Sequence, residues 1–241
     1  MAERVIGVLG GMGPEATLAF FSWILKLTPA ARDQDHLRVV IDSNPKIPDR
    51  TAALLHGGPS PVPALRQGIA GLRRAGADFV VIPCVSAHAF LEELREGAAL
   101  PILSLFDVTA EAVRARHPAV RRVGLLATTG TIRVGRFQER LAREGLETLT
   151  PAGEDQELVM RTIYGVKAAA GEADRRPLRE NARGVAGRLV AAGAEAVIAG
   201  CTEIPLVLKP EDLPVPLFDT LRLLAEAAVA TAGRTPRAGV P

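Results

Sequence analysis

Cysteine and aromatic residues are scarce in this chain of 241 residues. It has 2 cysteines, one tryptophan, one tyrosine and 4% aromatic residues, although 48% of its residues are hydrophobic. Two cysteines are too few for a disulfide-rich secreted domain, and a zinc site would need histidine or carboxylate ligands to complete it. Of the four histidines only His88 lies close to a cysteine in sequence. We therefore expect neither a structural disulfide nor a metal site.

Excess charge and long apolar runs are missing as well. The 29 Lys+Arg against 27 Asp+Glu leave a net charge of +2, too small to favour nucleic acid or an anionic membrane as a partner. No run approaches the roughly 18 apolar residues of a membrane-spanning helix. The N-terminus lacks the layout of a secretory signal. These absences predict a cytoplasmic protein with no nucleic-acid or membrane partner.

Two similar stretches, each ending in a cysteine, organise the chain. Residues 75–84 read Ala-Gly-Ala-Asp-Phe-Val-Val-Ile-Pro-Cys, and residues 192–201 read Ala-Gly-Ala-Glu-Ala-Val-Ile-Ala-Gly-Cys. A helix-ending glycine followed by a short apolar run is typical of a buried parallel strand. Cys84 and Cys201 are therefore predicted to lie at the ends of equivalent strands.

The repeat extends over both halves of the chain. A spacing of 77 residues separates Gly7 from Cys84 and Gly124 from Cys201. Each half opens with a strand, predicted over 5–9 and 123–127, and then turns into a helix. Later helices present apolar side chains at helical spacing, namely Leu65, Ile69 and Leu72 in one half and Ala182, Val185 and Leu189 in the other. A second strand is predicted over 37–41.

Alternating strands and helices predict an α/β fold of two pseudo-symmetric lobes, each a mainly parallel sheet flanked by helices. We expect the first lobe over 1–107, with a C-terminal helix over 219–241 packing back on it, and the second over 108–218. Ligands of open α/β sheets bind beyond the carboxyl ends of the strands. The active site is therefore expected in a cleft between the lobes.

The two cysteines are the first candidates for chemistry. A cytosolic cysteine is often a small buried hydrophobic residue, but the equivalent placement of Cys84 and Cys201 favours a function. We expect each to precede a helix N-terminus, which lowers a thiol pKa from its ordinary value of about 8.5. Two such thiols on opposite sides of one carbon can remove and deliver a proton, which inverts a stereocentre without a cofactor.

Turns and charged residues supply weaker candidates. The turn Gly11-x-Gly13-x-x-Ala16 fits a loose dinucleotide fingerprint, and the corresponding turn of the second half starts at Thr128. Both turns resemble anion sites at helix N-termini, although glycine there can also serve the backbone alone. Arg50 could bind a carboxylate bidentately, but arginine is abundant in this chain, and spacing alone favours a solvated surface residue. Lys167 is ambiguous as well.

The segment after the second cysteine adds two polar candidates. Thr202 and Glu203 directly follow Cys201. The hydroxyl of Thr202 suits a substrate oxygen. The carboxylate of Glu203 can cap a helix or orient the thiol of Cys201.

Four motifs resemble the aspartate/glutamate racemase family, and its aspartate racemase branch in particular. They are Gly10-Gly11-Met12-Gly13-Pro14-Glu15-Ala16-Thr17, Ile47-Pro48-Asp49-Arg50-Thr51, Pro83-Cys84-x-x-Ala87-His88 and Gly200-Cys201-Thr202-Glu203-Ile204-Pro205. The resemblance covers nearly the whole chain in order and spacing. It implies two pseudo-symmetric α/β lobes, a homodimer, and activity without pyridoxal phosphate, metal or any other cofactor.

The resemblance also implies roles for single residues. Cys84 and Cys201 would be the catalytic pair. Arg50 and Lys167 would hold the side-chain carboxylate of a dicarboxylic amino acid, with Met12 lining the site. The α-carboxylate would be held by the segments after the cysteines, together with Thr128. In this sequence those segments contribute Val85, Ser86 and Thr202.

One position departs from the family pattern. The first cysteine of the family is usually followed by Asn and Thr, whereas this chain has Val85 and Ser86. Valine cannot supply the amide, and a lost hydrogen bond to a charged group costs roughly 1.5–3 kcal/mol. The backbone N–H groups of both residues can still bind a carboxylate. The departure leaves the reaction class in place and weakens the case for aspartate as the favoured substrate.

The leading hypothesis is cofactor-independent racemisation of an acidic amino acid, aspartate foremost. A related reaction remains open, because the family includes glutamate, hydantoin and broader amino-acid racemases, maleate isomerases and decarboxylases. Arg50 and Lys167 favour a dicarboxylate over a hydantoin. Two other classes also remain, a carboxylate-binding protein that has lost turnover and a nucleotide-dependent oxidoreductase.

Overall fold

The computed structural model describes residues 3–168 and 175–240, and its chain divides into two units. The first unit comprises Met1–Val108 and Leu221–Pro241, and the second comprises Thr109–Thr220. In the described residues, no helix combines the length and apolarity needed to cross a lipid bilayer.

A three-stranded parallel sheet is the centre of the first unit. Its strands are β1 (Ile6–Gly10), β2 (Val39–Ser43) and β3 (Phe79–Val81), in the order β2-β1-β3. Every residue of β1 and β3 is buried, which explains their continuous apolar sequences. The helices of this part of the chain are α1 (Pro14–Leu27), α2 (Arg50–Leu55), α3 (Val62–Arg74), α4 (Leu91–Arg95), α5 (Leu105–Arg116), which continues into the second unit, and α10 (Thr220–Thr231).

The second unit is built on a four-stranded parallel sheet. Its strands are β4 (Arg122–Ala127), β5 (Glu147–Leu149), β6 (Ala196–Gly200) and β7 (Leu217–Asp219), in the order β5-β4-β6-β7. The helices of this unit are α6 (Thr129–Val134), α7 (Arg136–Arg143), α8 (Glu154–Ala168) and α9 (Arg175–Ala191). The predicted class, two parallel sheets flanked by helices, is confirmed.

The two sheets follow one plan. In each, the first strand lies between the second and the third, and the cysteine follows the third strand. Gly7 in β1 and Gly124 in β4 occupy equivalent positions, and each allows side chains from a later part of its unit to pack closely against the strand. A Cβ on Gly7 would lie 2.9 Å from the Cβ of Ala77, and a Cβ on Gly124 would lie 3.1 Å from a methyl of Leu189. These glycines serve packing.

The predicted helix faces are confirmed. Leu65, Ile69 and Leu72 of α3 are buried, as are Ala182, Val185 and Leu189 of α9. Pro14 begins α1 directly after the turn, where its missing N–H costs no hydrogen bond. The second strand lies two residues later than the predicted range of 37–41.

The repeats differ where the chain returns to the sheet. In the second unit β7 pairs with β6 and ends at Asp219. In the first unit the corresponding pairing is reduced to a single bridge between Val80 and Ile102, and Phe106-Asp107 lie inside α5.

Each cysteine precedes a helical segment, as expected, and that segment is of the 3₁₀ type. A 3₁₀ segment over Val85–Phe90 follows Cys84, and a shorter one over Ile204–Leu206 follows Cys201. In the second case the N–H of Ile204 donates to the carbonyl of Cys201, three residues back. This is the tighter hydrogen-bond pattern of short connectors.

Candidate active site

Both cysteines lie at the carboxyl end of a buried parallel strand, each within its own unit. Cys201 directly follows β6, and Cys84 comes three residues after the end of β3. Both thiols are free and buried. This edge of an α/β sheet is where ligands bind, so the strand positions predicted for the two cysteines are confirmed.

The thiol of Cys201 lies in a charged cluster. Its Sγ donates to Oε2 of Glu203 at 3.0 Å, and the hydroxyl of Thr202 donates to the same oxygen at 3.2 Å. The other carboxylate oxygen, Oε1, lies 3.2 Å from Nζ of Lys167, which comes from the end of α8. Of the two alternatives for Glu203, the structure has it orienting the thiol.

Burial raises the pKa of the Cys201 thiol well above its ordinary value, and the negative charge of Glu203 adds to this effect. The positive charge of Lys167 opposes it. The expectation that a helix N-terminus lowers the pKa of this thiol is therefore wrong. The physical reason is that the site is desolvated and anionic, and that only a short 3₁₀ segment follows. Cys201 holds its proton in the resting protein.

The surroundings of Cys84 are less polar. The hydroxyl of Ser86 lies 3.5 Å from its Sγ, and either group can donate. Val85, which occupies the position of the family's asparagine, is buried with 2% of its surface exposed. An apolar side chain and a hydroxyl therefore occupy the two positions after Cys84.

Sequence reasoning considered His88 only as a metal ligand, and the structure places it as a partner of Cys84. Its Nδ1 lies 2.9 Å from the carbonyl oxygen of Cys84, and its Nε2 lies 3.4 Å from that of Leu103. Burial lowers the pKa of His88 below 6.5, so the ring is neutral and can donate from one nitrogen only. The shorter contact favours Nδ1 as the donor. The spacing of four residues after Cys84 was the available signal.

Arg50 is buried, so the interpretation as a solvated surface residue is wrong. It begins α2 directly after Asp49, whose side chain caps the helix. Its Nη1 donates to the carbonyl oxygens of Ile47 and Pro48, and its Nη2 donates to that of Met12 at 3.3 Å. The guanidinium thus joins the loop before α2 to the turn after β1, where Met12 is itself buried.

The glycine-rich turn owes its glycines to the backbone. Gly11 has a φ of 88°, and a Cβ there would lie 2.4 Å from the backbone of Asn44. Its N–H, which a bound phosphate would need, donates instead to the hydroxyl of Thr17. The N–H of Gly11 is therefore not available to a phosphate, which argues against a dinucleotide site at this turn.

Thr128 caps a helix. Its hydroxyl oxygen accepts from the N–H of Thr131 at 3.2 Å, and its Oγ1 lies 3.0 Å from that of Thr131. The residue is buried at the carboxyl end of β4, next to β6. Its predicted part in holding an α-carboxylate stays a prediction.

The structure brings the predicted residues together in groups. Within the second unit it joins Cys201, Thr202, Glu203 and Lys167. Within the first unit it joins Cys84 to Ser86, and Met12 to Arg50. In the described part of the chain, no three His, Cys, Asp or Glu side chains cluster in a way that suits a metal ion.

Comparison with known proteins identifies the family of the chain. A family model described as Asp/Glu/Hydantoin racemase matches residues 9–228. The chain belongs to this racemase family. It is an amino-acid racemase, and hence an isomerase.

Individual relatives cover nearly the whole chain. The broad specificity amino-acid racemase RacX of Bacillus subtilis is 27% identical over 231 residues, which make up 94% of this chain and 97% of RacX. The structure of an aspartate racemase from Picrophilus torridus superposes with a TM-score of 0.85 and 29% identity, over 97% of this chain and 96% of that one. A glutamate racemase from Francisella tularensis, solved with D-glutamate, shares the fold at 17% identity and a TM-score of 0.68, over 96% of this chain and 81% of that one.

Proposed function

We propose that the racemase inverts the α-carbon of an acidic amino acid, aspartate foremost, with the thiols of Cys84 and Cys201 as its two bases and without a cofactor. One observation carries the proposal. A free, buried thiol follows the corresponding strand in each of two sheets of the same plan. The full-length likeness to an aspartate racemase supports the substrate class.

Two thiols suit this reaction because inversion needs a base on one face of the carbon and an acid on the other. A thiolate takes the α-proton, and the opposite thiol delivers a proton to the other face. The carbanion formed between these steps is reached only when donors neutralise its carboxylate. The backbone N–H groups after each cysteine, with Thr128, are the proposed donors.

The preference for a second carboxylate rests on two cations. Arg50 is buried and donates to the carbonyl of Met12. Lys167 contacts the carboxylate of Glu203, and its side chain is 24% exposed. In the proposal these cations receive the side-chain carboxylate of the substrate. Charge-assisted hydrogen bonds of this kind are about twice as strong as neutral ones.

Val85 favours a second candidate, a racemase of broader specificity. An apolar residue at the position after Cys84 removes a side-chain donor for a charged substrate. RacX, whose printed description is broad specificity, aligns over nearly the full length of the chain. The two candidates differ in which amino acids are turned over and share the thiol chemistry.

Incubation in heavy water tests both candidates. Each enantiomer of aspartate, glutamate, alanine and serine is incubated with the protein. Loss of the α-proton signal is followed by NMR, and inversion by chiral chromatography. The proposal expects aspartate to be inverted with the highest kcat/KM. Equal rates for alanine and aspartate would favour the broader candidate. Retention of inversion in Cys84→Ala or Cys201→Ala would contradict the two-thiol reaction.

A further inference from the structure

Lys167, Glu203 and Cys201 form a row of three side chains. The two oxygens of the Glu203 carboxylate have different partners, since Oε2 accepts from the Cys201 thiol at 3.0 Å and Oε1 meets the Lys167 ammonium at 3.2 Å. Cys201 is 5% exposed and the Glu203 side chain 3%, whereas the Lys167 side chain is 24% exposed. Lys167 is therefore the solvent-exposed end of an otherwise buried row.

The buried carboxylate of Glu203 requires a charge partner, because an unpaired charge is costly to bury. Lys167 is the cation that meets it. The same contact points the remaining oxygen, Oε2, at the thiol.

We propose that Lys167 is a positioning residue for Cys201, which holds the Glu203 carboxylate in place and aimed at the thiol so that Glu203 accepts its proton whenever Cys201 must act as a base. The inference rests on the proposed function, in which Cys201 is one of the two bases. It gives Lys167 a role that does not depend on the side-chain carboxylate of the substrate.

The proton step balances within the row. The S–H bond of Cys201 breaks, an O–H bond forms on Oε2 of Glu203, and the single negative charge moves from the carboxylate to sulfur. The new O–H donates back to the thiolate, while the ammonium of Lys167 stays on Oε1. After the thiolate has taken the α-proton of the substrate, the proton on Glu203 leaves to solvent, from which Cys84 is reprotonated.

The charges in the row act on the thiol in opposite senses. Burial is the largest cause that raises the pKa of Cys201, Glu203 raises it further, and Lys167 lowers it. Among the described residues these two are the charged groups that act on the thiol, Glu203 from the segment after β6 and Lys167 from α8. Removing the ammonium therefore moves thiolate formation to higher pH, and removing the carboxylate moves it to lower pH.

A titration without substrate gives the first test. In Cys84→Ser protein, Cys201 is the one remaining cysteine, and its thiolate is followed by ultraviolet absorbance against pH. Adding Lys167→Met should move the titration up by roughly 1 unit or more, and adding Glu203→Gln should move it down. Lys167→Arg should restore the original midpoint in part. Lys209→Met is the matched control, because Lys209 donates to the carbonyl of Pro205 and not to a carboxylate.

Kinetics of aspartate give the second test. Lys167→Met and Glu203→Gln should each lower kcat by about 100-fold, the usual contribution of a positioned proton acceptor. The double variant should have the same kcat as Glu203→Gln alone, since both changes remove one acceptor. A lysine that only holds the substrate would raise KM and leave kcat unchanged.

A titration that Lys167→Met leaves in place, or a change confined to KM, would overturn the inference. Inversion of aspartate by wild type with an unmoved titration would overturn the inference alone. A titration that moves as expected in a protein that inverts no acidic amino acid would overturn the proposed function alone. If Cys84→Ser does not fold, the difference between the titrations of wild type and Cys201→Ser supplies the same curve.

Discussion

The two cysteine sites share a backbone plan and differ in charge. The sulfur of Cys84 lies beside the hydroxyl of Ser86, and its backbone carbonyl contacts the neutral ring of His88. The thiol of Cys201 donates to the carboxylate of Glu203, whose other oxygen contacts the ammonium of Lys167. The two units thus share the order of their first three strands and the strand-end cysteine and differ in the polar groups beside the thiol.

This difference has a consequence for the proposed reaction. The two enantiomers of an amino acid are equally stable, so kcat/KM must be the same in both directions however unequal the two thiols are. Unequal properties of Cys84 and Cys201 can therefore make kcat and KM differ between the two directions, provided that both constants change by the same factor. Measuring both constants for each enantiomer shows how far the two sites differ in function.

Removing either thiol should have the largest effect on racemisation. Cys84→Ala and Cys201→Ala should each lower racemisation by about 1,000-fold or more, because either change leaves one face without a proton donor or acceptor. Each variant keeps one thiol, which can still exchange the α-proton of one enantiomer for deuterium without inversion. Proton NMR in heavy water, combined with chiral chromatography, separates exchange from inversion.

Adding Glu203→Gln to these variants sharpens the comparison. Exchange that depends on Cys201, in Cys84→Ala, should fall further, whereas exchange that depends on Cys84, in Cys201→Ala, should stay the same. Glu211→Gln, at an exposed residue of the same unit, serves as the matched control. An equal effect of Glu203→Gln in both backgrounds would show that the carboxylate serves no particular thiol.

Replacing Val85 should have the next largest effect. Val85 follows Cys84 as Thr202 follows Cys201. Val85→Asn supplies an amide for a carboxylate and should raise kcat/KM for aspartate by about tenfold, the effect of one hydrogen bond of roughly 1.4 kcal/mol. In the free protein the buried amide should lower the free energy of unfolding by about 1–3 kcal/mol. Steady-state kinetics and urea unfolding measure the two effects.

Val85→Thr is the control for Val85→Asn, because it makes the first site match the second at this position. It adds a hydroxyl in a side chain of similar shape. A rise in kcat/KM for alanine as large as that for aspartate, in Val85→Asn, would contradict a role for the amide in binding an acidic substrate.

Replacing His88 should have the smallest effect, confined to acid. Burial lowers the pKa of His88 in the folded protein below 6.5, whereas the unfolded chain takes up a proton near its ordinary pKa. The unfolded state therefore binds more protons below about pH 6.5, and stability falls as the pH falls through that range. His88→Asn can keep the donor to the carbonyl of Cys84 and does not titrate.

Urea unfolding at about pH 7 and pH 5.5 measures this effect of His88. Wild type should lose up to about 1 kcal/mol between the two conditions, and His88→Asn should lose less. His56→Asn, at an exposed histidine, should behave as wild type. An acid sensitivity that His88→Asn leaves unchanged would place its origin elsewhere.

Much of the fold could be predicted because its signals are local. Apolar runs, turn glycines and helical spacing placed the strands before both cysteines and the buried faces of α3 and α9. The second strand was misplaced by two residues, because Leu37, buried outside the strand, extends the apolar run. The segments after the cysteines were expected to begin helices, and they do so as 3₁₀ segments, a type that the sequence did not distinguish from an α-helix.

The site was predicted in part. The four motifs indicated Cys84, Cys201 and Arg50, and the resemblance that they carry implied Lys167; the racemase family is confirmed. The partners of these residues were not predictable. Nothing in the spacing of positions 167 and 203 indicates an ion pair, and nothing around Arg50 indicated that it is buried against the carbonyl of Met12.

The sequence by itself determined the α/β class, the repeated succession of strands and helices, and the two strand ends that carry sulfur. Periodicity and turn chemistry act over a few residues and are therefore visible in the chain. Only the tertiary structure decided that Cys201 holds its proton, that His88 is neutral and that Lys167 meets Glu203. These properties depend on desolvation and on charges brought together from distant parts of the chain, which act only once the protein has folded.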